Sequence, residues 1–216
     1  MNPFAERRAE MVDHQIVRRG VRSALVLDAM RSVPREHFVP EPLRSLAYED
    51  HALPIADDQT ISQPYIVALM IEALALRGGE KVLEIGTGSG YSAAVLARIA
   101  GEVWSVERIE RLAHDAAQVL AGLGCTNVHV RHADGTLGWP EQAPFDAIVV
   151  TAGGPTVPDS LKRQLRIGGR LVMPVAANRA FQELLCMTRV SDDRFETESI
   201  ADVCFVPLLG KEGWTP

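Results

Sequence analysis

Up to Val33, and again over residues 62–79, the apolar positions follow a helical rhythm; beyond residue 80 short continuous runs alternate with helical stretches. Residues 5–19 read as a polar helix with Met11, Val12 and Ile16 on one side. A second helix starts from a Ser23 cap, runs through "ALVLDAM" and stops before Pro34. The stretch "PREHFVPEPLRSLAYEDHALPIADD" is proline-rich and aperiodic. It predicts an ordered, irregular connector in which Phe38, Leu43, Leu46, Tyr48 and Leu53 need burial, and loops of such length usually serve function. In "SQPYIVALMIEALALRGG" the residues Ile66, Leu69, Met70, Ala73 and Leu74 recur at helical spacing, and Gly78–Gly79 closes the element.

From residue 80 the pattern alternates. "KVLEI", "EVWSV", "VHVR", "FDAIVV" and "RLVMPV" read as strands, and "YSAAVLARIA", "RIERLAHDAAQVLAGLG" and "PDSLKRQLRIGG" as the helices between them. Such alternation predicts a doubly wound, mostly parallel sheet. "QELLCMTRV" and "FETESIADVCFVPL" flank "SDD" and predict an antiparallel hairpin at the end of that sheet. The chain reads as one α/β domain: residues 1–61 a helical and loop extension, 62–176 the core, 177–216 the hairpin.

Composition narrows the classes of function. Hydrophobic residues make up 47% and charged residues 23% of the 216, an ordinary globular mixture. The net charge of −6 gives no basic field to draw in nucleic acid. No apolar run is long enough to span a bilayer, and "MNPFAERRAEM" lacks the apolar centre of a signal peptide. Cys125, Cys186 and Cys204 share no short spacing and read as free thiols in a cytoplasmic protein. The nearby His129 and His132 lie on a strand pattern and read as structural or surface residues, not metal ligands. Trp104, Trp139 and Phe145 read as packing residues.

In open α/β sheets, ligands bind at the carboxyl ends of the strands. The first βα turn is "EIGTGSGY", with Gly86, Gly88 and Gly90. A dinucleotide fingerprint would place its third glycine at 91, where this chain has Tyr91. Glu84 precedes the turn, Glu107 closes "EVWSV", and Asp134 with Gly135 follows "VHVR". Each acid alone fits a solvated strand end or a cap. Together beside a glycine turn they point to a nucleoside site, with Glu107 on the ribose hydroxyls and Asp134 on an exocyclic amine. The turn has no Lys or Arg for phosphates, and Glu84 suits an ammonium or sulfonium, which favours S-adenosylmethionine over NAD.

The stretches "VLEIGTGSGYSAAVLA", "VWSVERIERLA", "NVHVRHADGTLGWPEQAPFDAIVVTA", "LKRQLRIGGRLVMPV" and "DVCFVPL" resemble the protein-L-isoaspartate O-methyltransferase family, as do "REHFVPE", "AYEDHALPI" and "QTISQPYIVALM". The resemblance covers about residues 10–210. It implies a class I methyltransferase fold of about seven strands. It also implies methyl transfer from S-adenosylmethionine, leaving S-adenosyl-L-homocysteine, to the free carboxylate of L-isoaspartyl residues in damaged proteins and peptides. By motif match, Ser62 falls on the active-site serine and Gln59, Thr60 and Ile61 on its loop. Gly86, Thr87, Gly88, Ser89 and Gly90 fall on the cofactor loop, Glu107 on the ribose acid, Asp134 and Gly135 on the adenine side, and Gln182 near the site. Arg108 and Thr151 are counted with the cofactor residues.

That chemistry needs neither base nor metal, because the attacking carboxylate is already ionised at neutral pH. It needs donors that hold the carboxylate. Ser62, followed by x-Pro and an apolar run, also reads as a helix N-cap, and a capping hydroxyl keeps its proton free to donate. Two departures from the family pattern bear on the substrate. "LPIADDQTIS" has Ala56 and Asp58 where glycines are usual, with Asp57 between them, and "TAGGPTVP" has Gly153–Gly154 where alanines are common, which should loosen that turn. A methyltransferase of the same build acting on another carboxylate, and a non-catalytic cofactor-binding relative, remain alternatives. A monomer is the default.

Overall fold

A computed structural model of the chain describes residues 3–178 and 181–215. Residues 1, 2, 179, 180 and 216, which the one-domain reading also spans, lie outside the described residues. The N-terminal helix is continuous in path but not in winding. Helix α1 (Pro3–Met11) passes into a π-helical turn, Val12–Ile16, and a 3-10 turn, Val17–Arg19, which Gly20 ends at φ 102. Met11, Val12 and Ile16 are buried, as their spacing predicts. Helix α2 (Ala24–Ser32) starts where Ser23 Oγ accepts from Val26 N, as expected.

The connector folds into 3-10 turns, Arg35–Phe38 and Glu41–Leu46, and a short hairpin of β1 (Leu53–Pro54) with β2 (Thr60–Ile61). Phe38, Tyr48 and Leu53 are buried and Leu43 half-buried, but Leu46 is 38% exposed at the end of a surface turn. Helix α3 (Pro64–Ala73) buries Val67, Ala68, Met70 and Ile71, so its inner face is wider than Ile66, Leu69 and Ala73 suggest. Ala75 at φ 52 turns the chain away after α3, which leaves Gly78–Gly79 to the turn into the next strand.

The remaining elements form the expected α/β core: β3 (Lys81–Ile85), α4 (Tyr91–Ala97), β4 (Glu102–Glu107), α5 (Glu110–Gly122), β5 (Val128–His132), β6 (Phe145–Val150), α6 (Asp159–Gln164), β7 (Leu165–Asn178), β8 (Phe181–Arg189) and β9 (Phe195–Val203). They build a seven-stranded sheet in the order β5-β4-β3-β6-β7-β8-β9. The first five neighbours run parallel; β8 is antiparallel to β7 and to β9. One difference is the length of α6. "LRIGG" belongs to β7, because Leu165 pairs with Phe145 and Gly169 packs where a Cβ would lie 2.7 Å from Asp146 O.

Both faces of the sheet are covered. One carries the N-terminal helices, α3, α4 and Leu120 of α5; the other carries Val157, Leu161 of α6, and Leu208. Trp104 and Trp139 pack edge to face at 4.9 Å, His129 stacks on Trp104 at 4.2 Å, and Phe145 is wholly buried. No helix among the described residues is long and apolar enough to cross a membrane.

Candidate active site

The sheet reverses its order between β3 and β6, and a cavity opens at the carboxyl ends of these strands. Ile85 of β3, Val106 and Glu107 of β4, and Val149 of β6 form its floor. Gly86, Thr87, Gly88 and Ser89 form one wall. The turn needs its glycines. Gly86 sits at φ 95, and a Cβ there would collide with Thr151 Oγ1, which donates to Gly86 O at 2.7 Å. Gly90, at φ 89, is the N-cap of α4. The backbone thus offers a cradle with no Cβ in the way, the shape an extended ligand needs against a main chain.

Glu107 is 7% exposed, and each of its oxygens already accepts one backbone N–H: Gly88 N to Oε2 and Ile109 N to Oε1, both at 2.9 Å. These bonds fix the carboxylate at the cavity wall and leave each oxygen a second lone pair for a pair of hydroxyls. Arg108, Gly135 and Thr151 line the same cavity. Gly135 is held close, since a Cβ would approach Ile85 Cγ2 to 2.5 Å. The glycine cradle and the anchored Glu107 fit a nucleoside with its ribose hydroxyls at Glu107.

Four predicted residues do not reach this cavity: Gly90, packed as the N-cap of α4 against Leu120 and Ala116 of α5, and Glu84, Asp134 and Gln182. Glu84 is fully buried, pairs in register with Ser105, and accepts that residue's hydroxyl at 2.5 Å. Burial raises its pKa to about 7, partly offset by the Ser105 hydrogen bond. It lies inside the fold and is not placed to meet an ammonium. Asp134 is turned back on its own loop. Its Oδ1 accepts from Thr136 N and Oγ1, and its Oδ2 from Lys211 N, so it clamps the C-terminal segment instead of facing an amine. Gln182 splints β8 to the following segment through paired bonds to Phe205 N and O at 2.8 and 2.9 Å.

That segment is one the sequence pattern misses. "FVPL" reads as the end of a strand, yet β9 stops at Val203, and Val206, Pro207, Leu208 and Leu209 form a cavity wall. Pro207 is the available signal, because it cannot donate to a ladder. Gly153 and Gly154, expected to loosen their turn, are pinned instead. Gly153 N donates to Val206 O, Leu208 N to Gly153 O, and Gly154 N to Pro174 O. A Cβ on Gly153 would lie 2.7 Å from the Gln182 amide, so the small residue admits the splint.

Beside the first cavity lies a second cleft of about 530 Å³, lined by Asp50, His51, Gln63, Asp202 and Cys204 among others. Thr60, Ser62, Thr151 and Val206 line both. Ser62 therefore stands where the two spaces meet. It is not the helix cap. Pro64 occupies the first helical position, so Gln63 is the N-cap, and no side chain caps α3. Ser62 is half-buried, its carbonyl accepts from Arg35 Nη2 at 2.9 Å, and no group among the described residues hydrogen-bonds its Oγ. The hydroxyl is available to a ligand. Gln59, Thr60 and Ile61 lead to it along the first cavity.

The "ADD" departure resolves into a two-residue hairpin turn. Asp57 and Asp58 take φ 58 and 55, and Gln59 N donates to Ala56 O at 3.2 Å. Positive φ at both central residues is the type I′ pattern, which Asp tolerates better than Ala. The left-handed positions are 57 and 58; Ala56 is spared. Both carboxylates are exposed and line neither space.

Comparison with known proteins follows the same outline. A sequence profile described as Protein-L-isoaspartate(D-aspartate) O-methyltransferase (PCMT) matches residues 6–213. Protein-L-isoaspartate O-methyltransferase 1 of Rhodopseudomonas palustris (strain HaA2) is 64% identical over 98% of this chain and 86% of its own length. Protein-L-isoaspartate O-methyltransferase 2 of Marinobacter nauticus is 62% identical over 96% of this chain and 94% of its own. Among solved structures, a protein-L-isoaspartate O-methyltransferase superposes with a TM-score of 0.86 at 32% identity, over 97% of this chain and 67% of that one. A Plasmodium falciparum protein assigned to the same kind, solved with S-adenosyl-L-homocysteine, gives 0.81 at 25% identity over 94% and 98%.

Proposed function

The chain belongs to the protein-L-isoaspartate O-methyltransferase family, and from that premise we propose that its two adjoining spaces bring a cofactor and an isoaspartyl carboxylate together at Ser62. The protein is an S-adenosylmethionine-dependent methyltransferase that esterifies the free carboxylate of L-isoaspartyl residues, a protein-repair activity. When bound, the cofactor supplies an activated methyl group and leaves as S-adenosyl-L-homocysteine. The glycine turn, Glu107 and the Val206–Leu209 wall hold it. The single observation that carries the assignment of Ser62 is that this free hydroxyl lines both spaces.

Ser62 Oγ–H donates to the substrate carboxylate and orients it. The carboxylate is ionised at neutral pH, with an ordinary pKa near ~4, so no general base is needed. Catalysis then comes mainly from positioning, which supplies on the order of 7–11 kcal/mol in favourable cases. Among the described residues no Lys or Arg lines the second cleft, which leaves orientation to hydroxyls, the His51 ring, the Gln63 amide and backbone groups. We read residues 1–61 as part of the substrate side, 62–176 as the cofactor core and 177–216 as the hairpin whose exit closes the cavity. The free thiols Cys125, Cys186 and Cys204 support a reducing cytoplasmic setting, and the net charge of −6 supports protein or peptide substrates over nucleic acid. We take the working unit as a monomer, which sedimentation checks.

Incubation with labelled S-adenosylmethionine and matched isoaspartyl and aspartyl peptides tests the reading. Label on the isoaspartyl peptide alone is expected. Label on neither, with cofactor binding intact by calorimetry, refutes it. Ser62→Ala should lower turnover while moving stability by less than about 0.5 kcal/mol, because the side chain caps nothing.

A further inference from the structure

We propose that Arg35 is a positioning residue for the reaction, gripping the main chain of Ser62 from the buried side; the proposal rests on the function assigned above. Arg35 opens the 3-10 turn Arg35–Phe38 and is 0% exposed. Its Nε donates to Ala47 O at 2.7 Å and its Nη2 to Ser62 O at 2.9 Å. One planar fork thus ties the connector to the serine loop. Among the described residues no carboxylate lies within ion-pair distance of it. The adjacent Glu36 is taken by the Tyr48 hydroxyl and, at 3.9 Å, by Arg8. Nη1 is buried without a partner. Burial lowers its pKa to about 10, so the group is still charged at neutral pH.

A buried cation with no carboxylate partner and an unused donor weakens a fold, and its contact with the Tyr91 ring offsets only part of that cost. What the guanidinium holds explains its presence. Ser62 lies between β2 and α3, outside both regular elements, with no cap to fix it. The grip on its carbonyl sets where its hydroxyl stands. The same guanidinium lies 4.7 Å from the ring centre of Tyr91, which lines the cofactor cavity. Arg35 is therefore in contact with both halves of the site. A lysine keeps the charge but not a fork that reaches two carbonyls and stacks on a ring.

The test is a kinetic cycle on an isoaspartyl peptide. Arg35→Lys and Arg35→Met are each made with Ser62 intact and in a Ser62→Ala background, with folding checked by circular dichroism. With Ser62 intact, kcat should fall at least about tenfold while cofactor affinity by calorimetry stays within about threefold. In the Ser62→Ala background the same substitutions should lower kcat by less than about twofold, since the group they act through is gone. An equal loss in both backgrounds, or no loss in the first, overturns the proposal. If Arg35→Met does not fold, Arg35→Lys carries the comparison; if neither folds, Arg35 is a folding residue and the proposal fails. A wild-type protein inactive on the peptide refutes the assigned function itself, whereas an active wild type with equal losses refutes Arg35 alone.

Discussion

Glu84 makes a pH prediction that stability measurements can reach. Its carboxyl is fully buried in β3, beside Ser105 of β4, and burial raises its pKa from 4.5 to about 7. The folded chain therefore holds this proton more tightly than the unfolded chain does. At ~1.4 kcal/mol per pH unit, the difference amounts to roughly 3 kcal/mol. A raised pKa gives a contribution that is complete below pH 4.5, is lost as pH rises through about 7, and stays lost above it. Glu84→Gln keeps the shape and cannot ionise. Urea unfolding of both proteins between pH 5 and 8.5 isolates the group, because every other titration is shared and cancels in the difference. The variant's stability relative to wild type should climb with pH by up to about 3 kcal/mol and level off above pH 7. Parallel profiles would refute the assignment of Glu84 as a buried acid that must shed a proton.

Three further outcomes follow from the site. Gly86→Ala, at φ 95 and against Thr151 Oγ1, should cost about 1–3 kcal/mol and abolish the thermal shift given by S-adenosyl-L-homocysteine; an unchanged shift would show that the turn is not the cradle. Gln182→Leu strands Phe205 N and O, so stability should fall by about 1–3 kcal/mol and cofactor affinity should weaken as the Val206–Leu209 wall loosens, both read from melts and calorimetry. Asp58→Gly relieves a left-handed backbone at φ 55, and its melting temperature should stay level or rise, equivalent to a gain of up to about 1 kcal/mol; a loss of that size contradicts the type I′ turn.

The parallel sheet is legible in the sequence because each buried strand is a short apolar run and each crossover has a helical period. Legibility fails where a residue satisfies two patterns. Leu161 and Leu165 are four apart, which suits a helix face, but the pairing of Leu165 with Phe145 is a long-range contact that starts β7 there. The strand-end acids fail for a different reason: a position along a strand fixes where Cα sits, while the pleat and the next turn decide where the side chain goes. Glu84 is one residue short of the strand end, so the pleat sends it to the face opposite Ile85, and Ile85 is the residue that meets the cavity. Asp134 lies past its strand and is bent back by Thr136 N. Only Glu107 is turned toward the cavity, by Gly88 N and Ile109 N.

Ser62 follows the same logic at one-residue precision. Ser-x-Pro before an apolar run suggests a serine cap, but proline favours the first helical position, which makes the residue just before it the cap. Pro64 thus hands the N-cap to Gln63 and moves the helix start one residue beyond the serine. Had Ser62 capped α3, its oxygen would face the backbone of the first turn and its placement would be tied to the helix. Displaced by one, its Oγ is unengaged, its carbonyl is turned to Arg35, and its side chain borders both spaces. The proline that spoils the capping role is what leaves the hydroxyl to the substrate.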